Sequence, residues 1–328
     1  DCHLTLPKML WLRAHEPEVL DAAAFVVQAK DYVVGRLTSV VGLSDPSDAS
    51  LTGAFDVARR VWASDLWQAA GLNPRLLPVV VPSAQIVGQV TLEAASATGL
   101  TAGTPVVMGG GDGACATAGS GVAPGEAYNY LGGTSWIGLN ADAPLYDPRL
   151  SNYCSLDQRV TVFGTVQAAG SSLEWFAGTL GEADPAALDI SARDVPPGAR
   201  NLFFLPYLQG ERAPLWDSNA RGVFFGLATH HQQADLYRAV LEGVGFALRS
   251  IVDVFVENGH ALPALRLLGG GAKSELWRSI LVNIYARRLR TVADVSAATS
   301  LGAAMAAGVG AGLFASWDDA RRLVRIAR

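Results

Sequence analysis

Asp112 stands in the run Gly109-Gly110-Gly111-Asp112-Gly113, directly after the apolar stretch Val106-Val107-Met108. A carboxylate with glycine on both sides is open to approach. Such a group can accept the proton of a hydroxyl as that oxygen attacks phosphorus. Phosphoryl transfer otherwise asks mainly for in-line positioning and charge neutralisation. An Asp at this position also serves as a helix N-cap, and the sequence leaves both readings open. A second triple glycine, Gly269-Gly270-Gly271, follows Leu265–Leu268, and Gly132-Gly133-Thr134-Ser135 follows Ala127–Leu131. Glycines between a strand and a helix remove side chains where a ligand meets the backbone. The helix start behind them offers unpaired N–H groups that suit phosphate. A single such turn is as readily a tight turn with no ligand; several in one chain favour phosphate.

Rival phosphate motifs fail. Gly269-Gly270-Gly271-Ala272-Lys273-Ser274 lacks the G-x-x-x-x-G-K-[ST] spacing, because Ala272 precedes the lysine. Gly111-x-Gly113-x-x-Ala116 matches the loose dinucleotide fingerprint. However, Pro124-Gly125 ends the short helix, and the strand finishing at Leu131 carries no acidic residue for a ribose. A nicotinamide enzyme is therefore disfavoured.

Strands and helices must position these turns. Lys8–Leu12 starts a helix interrupted before Pro17, and Asp21–Leu37 reads as a strand-like run and then a helix. Ser44–Asp48 reads as a turn cluster, Trp62–Ala70 as a helix closed by Gly71, and Pro74, Pro78 and Pro82 as an extended stretch. The pattern changes after Thr101-Ala102-Gly103-Thr104-Pro105. Strands are then expected at Ala127–Leu131, Ile137–Leu139, Val160–Val166 and Leu265–Leu268, with helices after Asp112, Ser171 and Gly271. Leu236, Val240, Val244, Ala247, Ile251 and Phe255 mark one apolar helical face. Thr229 with Gln232 reads as its capping box and Asn258-Gly259 as its stop. Alternating strands and helices predict a layered α/β fold.

The chain has 328 residues, a net charge of −5 and a hydrophobic fraction of 50%, which suits about two ordinary globular domains. The acidic balance argues against a general nucleic-acid binder. Three cysteines, Cys2, Cys115 and Cys154, form no C-x-x-C pair. That points away from a disulfide scaffold and structural zinc and toward a reducing, cytoplasmic compartment. No signal peptide is evident. Val295–Trp317 carries no charge, but its Ala and Gly content fits a buried soluble helix rather than a membrane span. His230-His231 reads as surface or capping, Cys115 as a small buried residue, and the Arg321–Arg328 stretch as a solvated helix face. Arg212 either faces an anion or pairs near Glu211. Trp136, Trp175, Trp216 and Trp277 read as core or wall rather than as sugar platforms.

At these residues the chain resembles the FGGY family of carbohydrate kinases. Gly222-x-Phe224-x-Gly226-Leu227, followed after seven residues by Asp235-Leu236-x-x-Ala239-Val240-Leu241-Glu242, is similar to the family's second signature. Lys8-Met9-x-Trp11-Leu12 with Thr5 resembles the first, departing at His3 and Ala14. Lys30-Asp31-Tyr32, Ser47-Asp48-Ala49-Ser50, Gly109–Asp112, Gly133-Thr134-Ser135 and Gly269–Ala272 follow in family order, so that the resemblance runs from Pro7 to about Leu323.

The resemblance implies an actin-like ATPase (ribonuclease H-like) α/β fold of two lobes with ATP in the cleft. Residues 1–103 would end the first lobe and 104–328 form the second. It implies ATP-dependent phosphorylation of a sugar or polyol hydroxyl, with Mg2+, a small-molecule sugar substrate and a homodimer as an assembly common in the family. Asp112 matches the catalytic base, and Gly113 beside it the substrate site. Gly133, Thr134 and Ser135 match residues near the ATP phosphates. Gly170, with Glu174 one turn on, resembles a further ATP contact, and Gly270, Gly271 and Ala272, followed by Glu275, the loop beside adenosine. No protein metal ligands are assigned. The family's Asp-Gly-Thr phosphate loop and much of its sugar pocket have no counterpart here, so the chain is expected to be part of a kinase and not a competent catalyst alone. Asn129–Trp136 and Gln167–Gly170 look most like xylulokinases, whereas Glu211–Asp217 looks equally like gluconate kinases. Gly113 stands where many xylulokinases carry Asn. D-xylulose is the expected substrate, with gluconate or another pentulose or polyol as the alternative and a non-catalytic sugar or nucleotide sensor as the rival of another class.

Overall fold

The computed structural model describes residues 3–179 and 184–327, so Cys2 lies outside the described residues. The first 107 residues form short elements. The Lys8–Leu12 run sits in helix Thr5–His15, which stops before Pro17, where a second helix, Pro17–Ala22, begins. The strand-like run expected after Asp21 forms no ladder; Val26 makes one backbone bond to Leu76, and helix α1 (Ala29–Thr38) follows. The turn expected over Ser44–Asp48 is instead the end of a strand and the start of a helix. Leu43–Ser44 pairs in parallel with Val79–Val80. Asp45 then caps α2 (Pro46–Ser50), accepting from the amides of Ser47 and Asp48. Asp before Pro serves a helix start as well as a turn, and burial of this segment selects the helix. Ile86–Gln89 pairs antiparallel with Pro105–Val107 through the intervening helix Leu92–Thr98.

Helix α3 (Asp112–Ser120) leads into the main sheet, whose strands are β1 (Ala127–Leu131), β2 (Ser135–Ala141), β3 (Ser151–Cys154), β4 (Val160–Val166), β5 (Ala264–Leu268) and β6 (Arg288–Thr291). Their spatial order is β6-β5-β1-β2-β4-β3. β5 is parallel to both β1 and β6, and the other pairings are antiparallel. The carboxyl ends of β1, β4 and β5 therefore meet one edge of the sheet. Between strands run α4 (Gly170–Thr179), α5 (Gln233–Glu257) and α6 (Glu275–Tyr285), and α7 (Ala298–Gly310) follows β6.

Alternation along the strands divides the side chains between two faces. Ile137, Leu139, Val160, Val162 and Val166 pack with Val240, Val244, Leu248 and Ile251 of α5 in the largest core. The opposite face meets α3 through hydroxyls. Thr117 Oγ1 lies 2.8 Å from Tyr128 Oη, 3.0 Å from Tyr153 Oη and 3.1 Å from Thr161 Oγ1, all buried. Helix α7 then packs on α3. The periodicity of α5 is borne out, but its cap lies three residues further on than Thr229. Gln232 is the N-cap, and Asp235 accepts from the Gln232 amide at 2.9 Å. Thr229–His231 form the preceding turn, where His231 Nδ1 accepts from the amide of Ala228.

The uncharged Val295–Trp317 stretch contains the 13-residue α7, and no described helix is long and apolar enough to cross a membrane. The basic tail is not one helix face. Its helix ends at Arg321, after which Ile326 bridges Val292 and the Ala327 amide donates to Thr291, extending the edge of β6. Arg321 is held by Asp157 at 3.2 Å, and only Arg322 among the two is widely exposed.

Candidate active site

Asp112 is the first residue of α3, after the N-cap Gly111, so that it does not itself cap the helix. Its carboxylate is exposed and accepts from the Gly113 amide at 2.7 Å. It lines a cleft of about 240 Å³ with Gly113, Thr134, Trp136, Thr165 and Arg212. Trp136 forms a wall of that cleft, stacked on Tyr130 at 4.1 Å and donating Nε1–H to Tyr128 Oη. Trp277 is buried in the core, while Trp175 and Trp216 are partly exposed and held by Phe204 and the Arg149 carbonyl.

The glycine turns fall into two classes once their neighbours are seen. At the β1–β2 turn, Gly133 faces open space, whereas a Cβ at Gly132 would strike the Tyr130 ring. The Gly170 amide donates to Gly132 O at 2.9 Å, and the Ala169 and Ser171 amides donate to Gly133 O, which seats the start of α4 on this turn. At the end of β5, Gly270 is open, while a Cβ at Gly271 would strike Leu131 and Trp277. Gly269, at φ +85°, sits against the Leu131 backbone. Both turns and the start of α4 thus converge at the carboxyl ends of β1, β4 and β5, where open α/β sheets bind ligands. Only Gly133 and Gly270 leave bare backbone there for a ligand.

The remaining predicted residues are spread more widely. Ser135 is buried; its hydroxyl donates to Tyr130 O at 2.6 Å and accepts from Asn129 Nδ2. Its side chain is therefore turned into the sheet and not toward the cleft. Ala272 is buried behind its turn. Glu174 is exposed on α4, and Glu275 starts α6 with an exposed carboxylate 3.9 Å from Arg278.

The Gly109–Gly111 loop corrects the expectation that its glycines clear the way for a ligand. Lys30 Cδ lies 3.7 Å from where a Gly109 Cβ would sit, Ser47 Oγ 2.7 Å from that of Gly110 and Asp48 Oδ1 2.7 Å from that of Gly111. Gly110 and Gly111 admit α2, with Leu156 also crowding Gly110, whereas Gly109 takes a φ of +71° that favours glycine. Lys30 Nζ lies 2.5 Å from Asp31, 3.3 Å from Asp45 and 3.5 Å from Asp48. Asp45 Oδ2 accepts from the Ser47 and Ser83 hydroxyls, and Ser47 Oγ accepts from the Gly111 amide at 2.9 Å. Burial tends to lower the Lys30 ammonium, but Asp45, Asp31 and Asp48 together raise it. Burial, aided by Asp45 and Asp31, pushes Asp48 up to about 7 against the pull of Lys30. In the sequence Lys30-Asp31 and Ser47-Asp48 carry no signal beyond their similarity to the family pattern; Asp45-Pro46 is the local signal that a helix starts here.

A second carboxylate missed from the sequence is Glu211. Its Oε1 accepts from the amides of Gln167 and Arg212, and burial pushes it up to about 7. Cys115, one turn from Asp112, is buried as expected; burial foremost pushes its thiol up to about 12, and Sγ donates to Gly110 O.

A model of the N-terminal domain of the FGGY family of carbohydrate kinases matches residues 1–119, and a model of its C-terminal domain matches residues 127–311. The chain belongs to the FGGY family of carbohydrate kinases. It is 38% identical over 313 residues to the xylulose kinase of Escherichia coli (strain K12), which covers 94% of this chain and 64% of that protein. The structure is similar to those of a gluconate kinase (TM-score 0.90) and a ligand-bound xylulose kinase (0.91), both from Lactobacillus acidophilus. Each is 28% identical and is matched over 99% of this chain and 67% of its own. Among FGGY kinases, then, the chain spans less than two thirds of the curated relative it matches. Its α/β fold is the actin-like fold of these kinases.

Proposed function

We propose that this chain carries part of an ATP-dependent sugar kinase that phosphorylates D-xylulose to D-xylulose 5-phosphate. The observation that carries this reading is the exposed Asp112 carboxylate at the head of α3, sharing one cleft with Thr134 beside the open backbone of Gly133. Asp112 takes the acceptor hydroxyl's proton as the oxygen attacks the γ-phosphorus. Thr134 and the Gly133 backbone meet the phosphates, and the Gly270 turn meets the rest of the nucleotide. Mg2+ supplies charge neutralisation when bound.

Xylulose is favoured by the relative above and by the segments around Gly133 and Gly170. A gluconate or other pentulose or polyol acceptor is the second reading, supported by the gluconate kinase likeness and by Glu211–Asp217. The test is ATP consumption by the full-length kinase that contains this chain, with D-xylulose, L-xylulose, D-ribulose, gluconate, glycerol or erythritol. Sugar-dependent turnover strongest with D-xylulose is expected. Turnover with another acceptor alone would move the substrate within the class. Binding of ATP or sugar without turnover would favour a sensor.

A further inference from the structure

The cluster of Lys30, Asp31, Asp45 and Asp48 lies behind the cleft, and no step proposed above uses it. All three glycines before Asp112 pack against it, and a Cβ at Gly110 or Gly111 would collide with Ser47 or Asp48. A hydrogen-bonded chain connects the two: the Gly111 amide donates to Ser47 Oγ, and the Ser47 hydroxyl donates to Asp45 Oδ2 at 2.7 Å. Asp48 is the incompletely satisfied member. Its Oδ2 is buried with no hydrogen-bond partner, and the shared ammonium lies closer to Asp31 and Asp45.

We propose that Asp48, anchored by Lys30, is a positioning residue for Asp112, and that its ionisation changes the seating of the Gly109–Gly111 loop. This rests on the kinase reading of Asp112. Neutral Asp48 carries a proton it can donate, and ionised Asp48 adds a charge in contact with Gly111, the residue before Asp112. The groups facing it are Lys30 and Asp31 from α1, Asp45 from its own segment, and Cys115 from α3, which also faces Asp112; Cys154 of β3 faces Asp45. With one ammonium for three carboxylates, the burial-raised Asp48 changes charge near neutral pH. Ionised Asp48 is drawn to Lys30 and leaves Gly111 seated on Ser47, which fixes the head of α3, so turnover rises as Asp48 ionises.

The test compares the full-length kinase containing this chain with its Asp48→Asn variant, which keeps the shape and removes the titration. Two readouts are followed from pH 5.5 to 8.5: kcat with ATP and sugar, and hydrogen-exchange protection factors of the Gly110–Gly113 amides. The unaltered protein should show a step near pH 7 in both. Asp48→Asn should lose both steps and reduce kcat at pH 8 about tenfold, with little change in KM for ATP. Ser47→Ala, which loses the Gly111 acceptor but keeps Asp48, should lower protection at Gly111 and retain the step. A step that persists in Asp48→Asn in either readout overturns the proposal. If the full-length kinase containing this chain phosphorylates no sugar, the kinase reading fails separately, and the exchange data still decide whether Asp48 controls the loop.

Discussion

Glu211 and Gln167 tie the loop that carries Arg212 to the end of β4, because Glu211 Oε1 accepts the Gln167 amide at 2.8 Å. The same oxygen accepts the Arg212 amide at 2.7 Å, while Oε2 is buried with no hydrogen-bond partner. The bond thus spans from the cleft to the turn that leads into Gly170. Burial raises Glu211 from 4.5 to about 7. A carboxyl raised by folding favours the folded state below its unfolded value and loses that advantage as pH rises through the folded one. Melting temperature should therefore fall between pH 5 and pH 8, with Glu211 contributing about 3 kcal/mol. Glu211→Gln keeps an oxygen for both amides and never ionises. It should match the unaltered protein at pH 5 and melt higher at pH 8, with Asp48 leaving part of the slope in place. An unchanged slope would show that Glu211 ionises freely in the fold.

Asp112→Asn should lower turnover by about 10²–10⁴-fold, since the amide cannot take the acceptor's proton. Asn fits the exposed first position of α3, and its side-chain oxygen still reaches the Gly113 amide. ATP affinity, measured by calorimetry, should change less than about threefold. Normal turnover in this variant would remove Asp112 from the proton-transfer role.

Much of this arrangement is legible in the sequence because it rests on local signals. Glycines mark the turns at 132–133 and 269–271, and the apolar face of α5 follows a helical period. The pieces that escaped are long-range. Nothing near Gly109–Gly111 says that α1 and α2, more than 60 residues upstream in the case of Ser47, fill the space a ligand was expected to use. Ser135 reads as a polar turn residue, and only the pairing of β1 with β2 turns its hydroxyl toward Asn129 and Tyr130. Glu211 looks like a loop charge until Gln167 is brought to it. The short strands of the first segment are also silent, since two paired residues leave no alternation to read.

Gly133 and Gly170 touch the same turn yet should respond oppositely to an added methyl. A Cβ at Gly133 meets nothing within 4 Å, whereas one at Gly170 would lie 2.6 Å from the Gly132 carbonyl oxygen. Gly133→Ala should keep its melting temperature within about 2 °C and weaken ATP binding, because the methyl occupies the bare approach. Gly170→Ala should lose about 1–3 kcal/mol of stability as the seat of α4 shifts. Thermal melts with and without ATP separate the two. Unweakened ATP binding in Gly133→Ala would place the nucleotide elsewhere.

Helices α3 and α7 meet backbone to backbone, which gives the sharpest stability prediction. A Cβ at Gly302 would lie 1.9 Å from the Cys115 carbonyl oxygen, and one at Gly119 would lie 1.7 Å from that of Ala298. No side chain can rotate to relieve either clash, so the helices must separate. Gly302→Ala should cost about 3 kcal/mol or more, the upper range for overpacking, read as a lower denaturation midpoint with little change in slope. The separation also moves α3, whose first residue is Asp112. Turnover in Gly302→Ala should therefore fall even under conditions where the variant is fully folded. Stability loss with unchanged turnover would mean that α7 supports the fold without fixing the position of the catalytic helix.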